Sequence, residues 1–206
     1  MTLKIYGVPA SRTFRCLWAA EECGLPYENV PWSHLGSEIK EPAYLAINPN
    51  GTIPALSDDG FNLFESLAIN LYLARKSGRL LPTNARDEAL VLQWTLWAAT
   101  ECEPLIGTWF YHTVMLPQEQ RKPELAADAA AKLPRRLKVL DDALVHRDYL
   151  VGGEFGIADL NVAAVLFRAP LFGLEPYPQV RAWHERCLAR PAAQVAIAMR
   201  ESKKPV

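Results

Sequence analysis

The sequence predicts a small mixed α/β domain followed by an all-helical one, and three observations lead there. Short apolar runs alternate with breaks marked by Gly and Pro over residues 1–79. Residues 87–206 carry helical spacing. Between them, residues 78–87 hold Gly78, Pro82 and Asn84 with little periodicity, and read as a linker.

The elements follow in order. Leu3-Lys4-Ile5-Tyr6 alternates and predicts a strand, which Gly7, Pro9 and Ser11 then break. Ser11 suits the N-cap of a helix carrying Phe14, Leu17 and Trp18 on one face, and Gly24 with Pro26 ends that helix. A second strand is expected over 27–32. Residues 33–51 are polar, with Pro42 and Pro49, and mix loop with short helix. Residues 54–57 and 61–64 flank Asp58-Asp59-Gly60, a hairpin signal. Leu67, Leu71 and Ala74 give helical spacing over 65–77. The order is β-α-β, a variable connection, then β-β-α.

Beyond the linker, 88–112 reads as one long helix with a kink at Pro104. Leu133, Leu137, Leu140 and Leu144 form an apolar helix face. Residues 158–167 predict a buried helix, and 178–190 and 192–200 two more.

Composition excludes several functions. The chain has 206 residues, half of them hydrophobic and 22% charged, enough apolar material to exclude a disordered chain. Lys plus Arg is 22 and Asp plus Glu 23, a net charge of −1 that argues against a nucleic-acid partner or a polybasic membrane anchor. Every apolar stretch is broken well short of the ~20 residues needed to span a bilayer. The N-terminus, broken by Arg12 and Arg15, does not read as a secretory signal. Cys16, Cys23, Cys102 and Cys187 form no CxxC, and His34, His112, His146 and His184 are scattered. No metal site and no disulfide framework are expected, and the cytoplasm is the expected compartment.

Three segments carry a resemblance: KIYGVPASRTFRCLWAAEECGLPYE, then NPNGTIPAL, then LFESLAINLYLA. With LVGGEFGIADLNVA later in the chain, their order and spacing resemble the cytosolic glutathione transferases, of a serine type similar to phi and related bacterial classes. The resemblance implies a thioredoxin-like glutathione-binding domain over 1–79. It also implies an α-helical domain over 87–206 bordering a hydrophobic substrate site, usually in a homodimer. It implies glutathione as co-substrate with no other cofactor, conjugated to hydrophobic electrophiles in detoxification.

Site residues follow from the same resemblance. The reaction needs a thiolate, and a thiol of pKa ~8.5 is mostly protonated at pH 7. Ser11, at a helix start, would donate a hydrogen bond to that thiolate, with Thr13 in reserve; otherwise Ser11 is a helix cap. Ile53-Pro54 resembles a cis-proline element whose backbone pairs with the cysteinyl residue of glutathione; the alternative is an ordinary trans proline. Glu65 and Ser66, opening a helix, would take the γ-glutamyl ammonium and carboxylate, or else form a plain helix start. Lys40 would reach the glycyl carboxylate. Cys16 reads as packing.

Two departures stand out. Gly156 sits where the late motif normally has Ser or Thr, so Asp159 reads as a folding element. Asn50 stands where many relatives place an aromatic residue against the other subunit. Trp94, Trp97, Trp109, Phe110 and Tyr111 read mainly as core or dimer contacts. Two other functions share this scaffold. One is a non-catalytic glutathione-binding module. The other is a different glutathione-dependent reaction, such as isomerisation, dehalogenation or peroxide reduction.

Overall fold

The computed structural model describes residues 3–202, which form two compact units: residues 3–81 with 188–202, and Pro82–Cys187. In the first, β1 (Leu3–Tyr6) leads through a turn at Pro9–Thr13 into α1 (Phe14–Cys23). Then come β2 (Tyr27–Val30), a short turn at Glu38–Lys40, α2 (Pro42–Leu45), β3 (Ala55–Asp58), β4 (Phe61–Phe64) and α3 (Ser66–Ser77). The sheet order is β2-β1-β3-β4. The β1–β2 pair is parallel, as a helical crossover requires, while β1–β3 and β3–β4 are antiparallel. This is the thioredoxin-like arrangement.

Strand alternation divides the core. Ile5 opposes Leu56 and Tyr6 opposes Ala55, so each pair points to one face. Ile5 and Leu56 are fully buried, as are Leu17, Trp18, Ile69 and Leu73 of the packed helices α1 and α3. Tyr6 and Ala55 join Ile39 and Tyr44, with Trp32 and Ile53 packed beside them. Trp32 thus leaves the strand expected over 27–32 and stacks against Tyr6 and Tyr44, with ring centroids 5.3 and 5.5 Å away. In the hairpin turn Asp59 and Gly60 have φ of 49° and 87°, the two positive values that a two-residue type I′ turn needs.

The second unit holds α4 (Ala85–Trp97), α5 (Glu103–Phe110), α6 (Pro123–Ala143), α7 (Ile157–Val165), α8 (Ala169–Phe172) and most of α9 (Pro178–Leu188). Helix α4 begins inside the expected linker, because Asn84 caps it by accepting the Asp87 N–H at 2.9 Å. The single helix expected over 88–112 is corrected to two. Pro104 has no N–H and its ring clashes with the carbonyl four residues back. The chain therefore opens into a wide turn at Ala98–Cys102 and restarts at Glu103, with Pro104 in the first turn of α5. Leu133, Leu137, Leu140 and Leu144 are buried as their spacing predicts, and every residue of α7 is buried.

The last helix, α10 (Pro191–Ser202), packs on α1 and belongs with the first unit. The sequence alone assigns it to one helical domain over 87–206. Its small buried Ala193 and Ala196 permit a close approach, and Arg190 forms a two-point pair with Glu22 of α1 at 2.6 and 2.9 Å.

Candidate active site

The turn after β1 sets the first part of the site. Ser11 has extended backbone, φ −103° and ψ −164°, between helical neighbours. Its Oγ accepts the Thr13 N–H at 3.1 Å, the bond that an N-cap makes. Ser11 Oγ donates to Val8 O at 2.7 Å and lies 2.9 Å from Thr13 Oγ1, so Thr13 donates in that pair. Ser11 is half-buried, whereas Thr13 is completely buried under the turn. A Cβ on Gly7 would lie 2.1 Å from Thr13 Oγ1 and 3.0 Å from Ile53 Cβ, so only glycine lets these three come together.

Ile53-Pro54 is a cis peptide. The loop before it is held by side chains. Asn48 Nδ2 donates to Thr52 O at 2.7 Å, Tyr44 Oη to the same oxygen at 2.6 Å, and Lys40 Nζ to Gly51 O at 2.8 Å. Lys40 is exposed, and an ammonium has three donors, of which this bond uses one. Asn50 bonds back to Asn48 Oδ1 at 3.1 Å.

At the third part, Glu65 has φ 70° and ψ 109°, a region that residues with a side chain rarely adopt. It is exposed, and its carboxylate has no hydrogen bond or ion pair among the described residues. Ser66 opens α3 and is buried; the first helical bond runs from Ile69 N–H to Glu65 C=O at 2.9 Å. Arg15 Nη1 donates to Ser66 Oγ at 3.2 Å, and Cys16 Sγ lies 3.6 Å from Ser66 O. Burial pushes the Cys16 thiol well above its ordinary pKa, so it is no nucleophile here, in keeping with a packing role.

Gly7 thus ties Thr13 to Ile53, Arg15 ties α1 to Ser66, and Lys40 ties its helical turn to the loop before Pro54. Ser11, Thr13, Lys40, Ile53, Pro54, Glu65 and Ser66 all lie in the first unit. The sequence reading missed Arg15 and Asn48. Asn48 was accessible, since Asn-Pro-Asn-Gly is a turn motif in which Asn side chains bond the backbone. Among the described residues no cluster of His, Cys, Asp or Glu could hold a metal ion.

Asp159 sits elsewhere and does another job. It is fully buried and accepts from Leu150 N at 2.9 Å, Gly156 N at 3.1 Å and Trp183 Nε1 at 2.8 Å. Gly156 has no side chain, so α7 keeps only the backbone half of a capping box. In the same unit, Trp94 packs edge-on against Trp97, Trp109 against Phe172, and Arg168 lies 4.0 Å from the Phe110 ring centroid.

A four-stranded thioredoxin-like sheet with a serine turn and a cis proline, followed by a helical unit, defines the architectural class. The chain belongs to the glutathione S-transferase family. Residues 1–75 match the glutathione S-transferase N-terminal domain and 103–191 its C-terminal domain. The chain is 34% identical over 206 residues to glutathione S-transferase 1 of Zea mays, covering 96% of each. It is 30% identical over 204 residues to the disulfide-bond oxidoreductase YfcG of Escherichia coli, covering 95% of this chain and 94% of that one. The solved structure of maize glutathione S-transferase I in complex with an atrazine glutathione conjugate superposes with a TM-score of 0.89 at 32% identity, covering 99% and 100% of the two chains.

Proposed function

We propose that this protein is a glutathione transferase that ionises the glutathione thiol at Ser11 and adds it to hydrophobic electrophiles. The observation that carries this reading is the strained Glu65 beside Ser66 at the start of α3, linked through Arg15 to the helix that follows the Ser11 turn. Backbone strain of this kind costs about 1–3 kcal/mol and survives where function uses it. The γ-glutamyl carboxylate takes Ser66 and the N-terminus of α3, and Glu65 takes the ammonium. The cysteinyl residue pairs with the backbone of Ile53 ahead of Pro54, and Lys40 spends its remaining donors on the glycyl carboxylate.

Ser11 is too weak an acid to act as a base, and its role is to donate. Rotation about Cβ–Oγ turns its proton from Val8 O to the sulfur. The Thr13 hydroxyl and N–H still donate to Ser11 Oγ and strengthen that bond. Thr13 acts through Ser11, since it is completely buried. The thiol proton leaves to solvent, and the thiolate sulfur then forms a bond to the electrophilic carbon. A leaving group departs with its electron pair, or the electrons move into an acceptor and are protonated.

A homodimer fits the exposed apolar residues: Leu92 and Leu96, one turn apart on α4, and Phe61 and Phe64 on β4. A cytoplasmic protein fits four buried cysteines that form no disulfide among the described residues. No helix among the described residues is long and apolar enough to cross a membrane.

Calorimetric titration with glutathione, then mass spectrometry of products from an electrophile panel, tests the reading. Binding plus conjugates is expected. Binding with turnover only of mixed disulfides or peroxides would replace the transferase reading, and no binding would remove the site.

A further inference from the structure

We propose that Arg200, on the last helix, is a positioning residue for Ser11. It holds the turn that presents the hydroxyl and so tunes ionisation of a thiol bound there. This rests on the reading of Ser11 given above.

The turn over residues 9–13 supports itself only in part. The Phe14 N–H reaches back to Ser11 O, but Pro9 has no N–H and the extended backbone of Ser11 interrupts the helical ladder. A carbonyl has two lone pairs, so Ser11 O and Pro9 O can each accept a donor from elsewhere. Arg200 Nη1 lies 3.1 Å from Ser11 O and 3.4 Å from Pro9 O. Its Cζ is 5.7 Å from the ring centroid of Phe14, the first residue of α1. One planar, permanently charged group thus spans the turn from its first residue to the helix it feeds.

Arg200 is held in turn. At the other end of α10, Arg190 grips Glu22, and Glu22 also accepts from Trp18 Nε1 at 3.1 Å. Tyr27 Oη donates to Glu21 at 2.7 Å and lies 3.7 Å from Met199 Sδ, one residue before Arg200. The helix is pinned to α1 and β2 near both ends, which fixes where the guanidinium falls.

A hydrogen bond to a charge depends steeply on angle and distance, so a loosened turn weakens thiolate stabilisation before it weakens peptide binding. Arg12 on the turn is exposed, and Arg15 on α1 is engaged with Ser66. Arg200 touches the carbonyls of the turn on both sides of Ala10.

The test uses the full chain with Arg200→Met and Arg200→Lys, alone and in a Ser11→Ala background. The readouts are the pKa of bound glutathione by thiolate absorbance, kcat and KM with one electrophile, and melting. Arg200→Met is expected to raise the bound thiol pKa by about 0.5–1 unit and lower kcat at pH 7 about three- to tenfold. KM for glutathione should stay within about twofold, and Arg200→Lys, which keeps a donor, should restore part of the loss. In Ser11→Ala, Arg200→Met should add no further pKa shift.

An unchanged pKa and kcat in Arg200→Met, even with a lower melting temperature, would overturn the proposal. So would a full pKa shift persisting in Ser11→Ala, because the arginine would then act by bare charge. If Ser11→Ala alone shifts the pKa and Arg200→Met does not, only the Arg200 proposal fails. If neither does, the reading of Ser11 fails with it.

Discussion

Helices α3 and α7 both begin beside an acidic residue, and they use it in opposite ways. At α7, Asp159 is fully buried, takes three hydrogen bonds from Leu150, Gly156 and Trp183, and lies three residues inside a relaxed start. Burial pushes its carboxyl above the usual range while those donors pull it back. At α3, Glu65 is exposed, sits at φ 70°, and has no partner for its carboxylate among the described residues. A satisfied buried acid holds a fold; a strained exposed one suits the ligand role proposed for Glu65.

Removing Asp159 should give the largest effect. Asp159→Ala strands three N–H donors, two of them buried, at about 1–3 kcal/mol each, partly relaxed, for a total of roughly 3–5 kcal/mol. Thermal melting should show that loss, with glutathione affinity of the folded protein unchanged. A binding defect without a melting defect would reverse the roles of the two helices.

His184, buried beside Trp183, belongs to the same structural side. Burial lowers its pKa to about 4, from ~6.5 in the unfolded chain. A depressed histidine is neutral when folded, so its contribution is complete above pH ~6.5 and is lost as pH falls toward 4. The His184 contribution should drop by about 2 kcal/mol between pH 6.5 and 5, with the raised Asp159 carboxyl working in the opposite direction. His184→Gln should flatten that slope; an unaltered slope would mean that other groups carry it.

On the ligand side, Ser66→Ala should weaken glutathione binding by ~1–3 kcal/mol through loss of a bond to a charge. Melting of the unliganded protein should move less than for Asp159→Ala. Equal binding by calorimetry would dissolve the contrast. The smallest effect is the most diagnostic in sign. Glu65→Gly relieves backbone strain, so the unliganded protein should gain about 1 kcal/mol after the entropy cost of glycine, while glutathione binding falls. A loss of stability would show that Glu65 supports the fold.

Much of this was legible in the residues. Alternation at Leu3–Tyr6, the Asp-Gly turn and the leucine spacing of α6 are local signals, and the structure keeps them. The candidate site residues are legible through motif resemblance, whereas the links between them are made in the folded chain. Arg15 reaches Ser66 across 51 positions and Arg200 reaches Ser11 across 189, and no local periodicity encodes such pairs. The wide turn at Ala98–Cys102 was hidden for another reason: Pro104 announces a break, but where the chain opens depends on packing. The placement of α10 on α1 was lost because a helical pattern does not say which neighbour buries it.

In the proposed function, Ser11 decides whether this corner only holds glutathione or also activates it. The most direct measurement is the ultraviolet absorbance of the bound thiolate against pH, in the wild type and in Ser11→Ala. A bound pKa below that of a free thiol, ~8.5, is expected, rising by about one to two units in the variant with affinity nearly constant. The same pKa in both proteins would contradict it and leave Ser11 as a helix cap.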